Sequence, residues 1–214
     1  FGLFVPDDKP GITVQGVDSA DAPIASAAAA QANIVTNADN NFGPSGIFIE
    51  GDGVTLAGVR VLNNALGQNK TIEVIGDAFT LRETDIADVE GSVYINDWRF
   101  DAGSATAHVQ SYRIENNTFS ASATLDIASG PGGSGPVSGR VIRGNLFVQT
   151  ADWTSISFSS SGTGVPWFVY PVGGAIIQNN TFQNTSAAGQ HIRVRGDYDN
   201  SQFDWASYWN DNVY

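Results

Sequence analysis

Residues 112–119 read Tyr-Arg-Ile-Glu-Asn-Asn-Thr-Phe, and residues 175–182 read Ala-Ile-Ile-Gln-Asn-Asn-Thr-Phe. A chain that twice writes an apolar alternation running into an Asn pair and an aromatic must build one local structure more than once, and such repeats constrain a fold more than any other sequence feature. A second echo supports the first. Ile47-Phe48-Ile49-Glu50-Gly51-Asp52-Gly53-Val54-Thr55-Leu56 aligns without a gap on Ile72-Glu73-Val74-Ile75-Gly76-Asp77-Ala78-Phe79-Thr80-Leu81, 25 residues later. Each copy holds a short alternating strand, a Gly-Asp turn and a second alternating strand, and period two marks a strand buried on one face.

Carried along the chain, the register predicts a first strand per unit at 46–50, 71–75, 91–95, 123–127, 155–159 and 191–195. A second strand is predicted at 54–61, 79–84, 112–117, 140–145, 175–180 and 207–212. The inward residues of the first strands are Ile47/Ile49, Ile72/Val74, Val93/Ile95, Leu125/Ile127, Ile156/Phe158 and Ile192/Val194. After each later second strand comes an Asn and, two positions on, an apolar or aromatic side chain: Asn117/Phe119, Asn145/Phe147, Asn180/Phe182 and Asn212/Tyr214. Thr84/Ile86 holds the slot in an earlier unit. Units this small cannot bury their own apolar faces and must stack. Stacking sets like strands side by side in parallel sheets, roughly 4.8 Å apart. An Asn at the same corner of every coil suits the left-handed turn conformation. Its amide can also bond to the Asn above and below. Arg140 breaks the pattern, since its sister residues are Tyr112 and Ala175, and a local register shift is expected there.

On this repeated strand, Asn turn and aromatic, the sequence resembles the right-handed parallel β-helix repeat family, the pectate-lyase-like solenoids of secreted bacterial proteins. The resemblance covers about residues 46–214. It implies an all-β, single-stranded solenoid of about six to seven coils in one domain, with 1–45 as an N-terminal coil or cap region and 46–214 as regular coils. Residues 11–17 read as an earlier second strand, and 21–38, with four alanines at 27–30, as a short helix or a connection over the first coil. The chain opens at Phe1, without an initiator methionine, and reads as part of a longer product.

The 214 residues suit one domain with a substantial core. A formal net charge of −12 argues against nucleic acid as a partner. No apolar run is long enough to insert into a membrane. The absence of cysteine excludes disulfides and thiolate metal sites. An acidic solenoid fits an extracellular or cell-surface location.

Several residue sets are candidates for function. Insertions at about 97–111, 129–139, 160–174 and 196–206 leave the same corner, so stacking would raise them as one wall bearing Trp98, Trp167, Tyr170, Tyr198 and Trp205. With Tyr94, these aromatics either bind sugar or a partner, or anchor their own loops. The outward residues of the first strands are Phe48, Glu73, Tyr94, Asp126, Ser157 and Arg193. Glu73 and Asp126 lie two coils apart, roughly 10 Å, at the wide end for an inverting glycosidase pair. With Arg193 as a base they would form a lyase-like set; the alternative is a solvated polar face. Asp52, Asp77 and Asp97 are aligned at one corner and would either hold Ca²⁺ between them or cap their own turns. Of the sequons at Asn69, Asn116, Asn179 and Asn184, the middle two belong to the Asn turns, which explain them without any sugar, and His108 and His191 are too far apart to suggest a zinc site.

Two functions compete. One is a structural or binding scaffold contacting polysaccharide or neighbouring protein subunits, with end-to-end self-association through open strand edges. The other is a polysaccharide-active enzyme, a lyase or glycosidase, working along the first-strand face. An ice-binding solenoid would need a flat Thr array, and none is read in the sequence.

Overall fold

The computed structural model describes residues 3–30, 32–36, 46–63, 69–87, 91–97, 109, 111–129, 139–152, 154–160, 175–185, 190–195, 209–210 and 212–213. They build coils of up to three strands each. The first coil is β1 (Leu3–Val5), β2 (Thr13–Gln15) and β3 (Ala32–Thr36), and the second is β4 (Ile47–Ile49), β5 (Thr55–Ala57) and β6 (Val59–Asn63). The third coil is β7 (Asn69–Val74), β8 (Phe79–Arg82) and β9 (Asp85–Ala87); the fourth is β10 (Gly91–Asp97), β11 (Tyr112–Glu115) and β12 (Thr118–Ser120). Next come β13 (Thr124–Ser129), β14 (Arg140–Arg143) and β15 (Leu146–Gln149), then β16 (Thr154–Ser160), β17 (Ala175–Gln178) and β18 (Thr181–Asn184). The last coil holds β19 (Gln190–Arg195) and β20 (Trp209–Asn210), and Val213 bridges Thr181 in the third sheet. Like strands pair in parallel into sheets of seven, seven and six. The molecule is a parallel β-helix, and right-handed is the sense that parallel crossovers take.

The expected inward residues of the first five predicted first strands fill the core; Ile192 packs against it partly buried, and the Val194 side chain lies outside the described residues. Ile47, Ile72, Val93, Leu125 and Ile156 form one file, fully shielded from solvent, and Ile49, Val74, Ile95, Ile127 and Phe158 form the next. Burying an aliphatic side chain of this size is worth about 2 kcal/mol, so each rung contributes to the interface with its neighbours. In the third sheet the aromatics stack: Phe119 on Phe147 at 4.5 Å and Phe147 on Phe182 at 5.2 Å, their planes nearly parallel. That sheet appears in the sequence only as an aromatic following an Asn corner.

The structure revises several expectations. The stretch 54–61 is two strands, divided at Gly58, whose φ of +62° turns the chain between the second and third sheets. The earlier second strand expected at 11–17 is present as β2, and β1 and β3, which were not expected, complete its coil by pairing with β4 and β6. The alanine run is a single 3-10 turn, Ala27–Ala29, before β3. No register shift occurs at Arg140, which pairs in phase with Tyr112 and Ala175. Its side chain runs into the core, lies 5.9 Å from the Tyr112 ring centre, and donates to the Val109 carbonyl at 3.0 Å. A buried guanidinium is tolerable when its donors find acceptors.

The Asn corner divides its work between neighbours. Asn116, Gly144 and Asn179 take the left-handed backbone, with φ of 56°, 66° and 54°. The residues after them make the ladder. Asn117 Nδ2 donates to Asn145 Oδ1 at 3.0 Å, Asn145 Nδ2 to Asn180 Oδ1 at 2.9 Å, and Asn180 Nδ2 to Asn212 Oδ1 at 3.0 Å. Each Nδ2 also donates to a carbonyl of the preceding coil, as Asn145 does to Ile114 at 2.9 Å. Each Oδ1 accepts a backbone N–H as well, so the turn's polar groups are satisfied inside the corner.

Candidate functional site

The outward face of the first sheet carries the file expected from the sequence. Phe48, Glu73, Tyr94, Asp126, Ser157 and Arg193 are register partners on successive strands, with Phe4 one rung earlier. The Phe4 and Phe48 rings stack at 5.9 Å with their planes 12° apart, and Phe4 is 56% exposed on the end strand. Phe4 was missed because its strand, three residues long, stands apart from the repeat, although Leu-Phe-Val carries the same alternation as Ile-Phe-Ile.

Lys70 joins this face through an irregularity. Strict alternation would put residues 70 and 73 on opposite faces of β7, because side chains three apart in a strand diverge. The register between β7 and β10 shifts here: Ser92 pairs with Lys70 and Val93 with Ile72, leaving Thr71 as the extra residue of a β-bulge. A bulge resets the alternation and re-aims the preceding side chain. Lys70 Nζ therefore reaches Glu73 Oε1 at 2.7 Å and lies 4.5 Å from the Tyr94 ring centre. No residue type announces a one-residue bulge, so Lys70 is not legible in the sequence as part of this face.

Tyr94 sits between two carboxylates, Glu73 on the rung before and Asp126 on the rung after. Burial, together with the negative charges of Glu73 and Asp126, pushes its phenol up to about 12. At neutral pH the hydroxyl therefore keeps its proton and serves as a hydrogen-bond group. Asp126 accepts from the Thr124 hydroxyl at 3.3 Å. Arg193 is on the file by its backbone, two strands beyond Asp126; its side chain lies outside the described residues. Trp98, Trp167, Tyr170, Tyr198 and Trp205 also lie outside them, and with them the proposed aromatic wall.

The acidic corner is a set of backbone caps. Asp52 Oδ1 accepts from the Asp77 N–H at 2.8 Å, and Asp77 Oδ1 accepts from the Ser111 N–H at 2.7 Å and the Ser111 hydroxyl at 3.2 Å. Asp97 does not continue the column. Asp52 and Asp77 each follow the last inward residue of their strand by three places, whereas Asp97 follows Ile95 by two and is still in β10, paired with Ser129. Among the described residues no group of three acidic or histidine side chains is placed to hold a metal ion. His191 instead tilts against the end of the aromatic stack, 5.4 Å from Phe182. Thr13, Thr55 and Thr80 do form a threonine file on the second sheet, one residue wide and three rungs long, ending where Arg113 follows Thr80.

No family model matches the chain, and no curated protein or solved structure is significantly similar to it.

Proposed function

We propose that the chain is an extracellular or cell-surface scaffold module that binds polysaccharide, or a neighbouring subunit, along the outward face of its first sheet, in the manner of the pectate-lyase-like solenoids it resembles. The observation that carries this reading is the continuous file from the Phe4–Phe48 stack through Lys70, Glu73 and Tyr94 to Asp126. Aromatic rings beside fixed polar groups are what sugar recognition uses: apolar C–H faces against rings, hydroxyls against carboxylates, ammonium and phenol. Holding is favoured over turnover. Glu73 is engaged by Lys70, and a phenol that keeps its proton at neutral pH is a poor base. The net charge of −12 fits the location.

The test is binding of the intact chain to a panel of neutral and acidic polysaccharides by affinity electrophoresis, comparing wild type with Tyr94→Ala. Retardation by at least one polysaccharide, reduced about tenfold or more in the variant, is expected. A wild-type chain that binds none would end the scaffold reading for glycans. New reducing ends or unsaturated products, lost in Asp126→Asn, would replace it with a lyase or glycosidase.

A further inference from the structure

The outward face of the second sheet has the opposite electrostatic character from the rest of the chain. On β8, β11 and β14 its outward positions are Thr80, Arg82, Arg113, Glu115, Val141 and Arg143, and those of β5 and β17 are uncharged. Three guanidiniums thus meet one carboxylate on these strands and a second, Glu83, at the end of β8, in a chain whose formal net charge is −12. The vertical arrangement sharpens the contrast. Glu115 is held from both sides, by Arg113 Nε at 3.1 Å and Nη2 at 2.9 Å and by Arg143 Nε at 2.7 Å. The carboxylate lies beneath, its side chain 12% exposed, while those of Arg113 and Arg143 are 50% and 52% exposed. Arg82 likewise covers Glu83 at 2.6 Å. A partner approaching the sheet meets cations, with their counter-charges buried below them.

We propose that this face docks a protein partner that presents carboxylates in an extended segment. Arg113 spends Nε and Nη2 on Glu115, and Arg143 spends Nε. That leaves the Nη1/Nη2 fork of Arg143 and the single Nη1 of Arg113 without partners among the described residues, on half-exposed side chains of two neighbouring strands. Such forks match carboxylates. Glu115 holds both guanidiniums in place, so less side-chain freedom is lost on binding. The chemistry favours protein over glycan: the outward positions of β8, β11 and β14 carry no aromatic ring, and Val141 and the exposed Ile176 lie beside the arginines. Arginine enrichment and scarce lysine are features that this face shares with protein interfaces. This surface is distinct from the first-sheet face and does not depend on its function.

The experiment uses the full chain and two labelled extended peptides, one with glutamate at alternate positions and one with glutamine in their place, read by fluorescence anisotropy. The glutamate peptide should bind and the glutamine peptide should not, and affinity should fall about tenfold or more between about 0.05 and about 0.5 M salt. In R113Q/E115Q/R143Q, which removes the charges together and leaves no lone buried carboxylate, binding should be lost with the melting temperature retained. Should that variant fail to fold, Arg143→Gln alone, with Glu115 still paired to Arg113, should weaken binding, whereas Tyr94→Ala should not. Any of four results overturns the proposal: no peptide binding, equal binding of both peptides, binding retained in the arginine variants, or polygalacturonate bound through these arginines while the peptide is not. Self-association of the wild type that disappears in the same variants would overturn it in favour of a second copy.

Discussion

Asn145 makes four side-chain hydrogen bonds: it donates to Ile114 O and Asn180 Oδ1 and accepts from both Asn117 nitrogens. All are buried, and the cost of an unmade buried bond exceeds the net gain of a made one. Asn145→Ala should therefore cost about 3 kcal/mol or more in denaturant unfolding, and Asn212→Ala, in the part-buried last rung, markedly less. Tyr94 gives a second measurable quantity. An unfolded phenol titrates near 10, while the folded one holds its proton to about 12. Between those values the native state binds more protons, so stability falls as pH rises through the interval and is unaffected by this group below it. Alkaline melts of Tyr94→Phe should lack that decline, and a wild-type curve of the same shape would refute the assignment. The Asn ladder was legible because the Asn pair recurs. The division of roles within the pair was not, because Asn suits both the left-handed turn and the ladder; Gly144, standing where its sisters have Asn, is the clue to which is which. Arg140 is illegible for the opposite reason: a charge at a core position suggests slipped register, and its bond to the Val109 carbonyl depends on folding that no local pattern encodes.

At the level of elements, the tight first corners read Gly-Asp-Gly and Gly-Asp-Ala, and the third residue is left-handed in both, Gly53 at φ +67° and Ala78 at +55°. An L-residue with a Cβ is strained there by about 1–2 kcal/mol. Part of that is recovered because alanine loses less chain entropy on folding than glycine. Ala78→Gly should raise the melting free energy by about 0.5–1 kcal/mol; a loss of stability would show the corner to be relaxed. The first residue of the corner is bound by a different limit. A Cβ on Gly76 would lie 2.2 Å from the Gly51 carbonyl oxygen, so glycine here permits one coil to approach the next. Strands with alternating Ile and Val were readable from the pattern alone. The third sheet was half hidden because β9 and β12 are three residues long, and the first coil because it lacks the Asn corner and has a long β2–β3 connection. The bulge at Thr71 leaves no mark in residue type, which is why the cation beside Tyr94 was absent from the expected site.

Across the whole molecule, 22 acidic residues oppose 10 basic ones, and self-repulsion of this size works against a compact state. Raising salt from about 0.01 M to about 0.15 M, which shortens the screening length from about 30 Å to about 8 Å, should therefore raise the melting temperature. A fall would mean that ion pairs such as Arg60–Asp85 and Arg143–Glu115 outweigh the net charge. The ladder carries a broader consequence. Its successive contacts join residues 28, 35 and 32 positions apart, yet their geometry is the same each time. Because every turn is re-indexed at that edge, the opposite edge can gain or lose residues without dephasing the turns above it. Foreign segments spliced between β13 and β14 would be presented at chosen heights along a rigid column, as teeth are set on a comb.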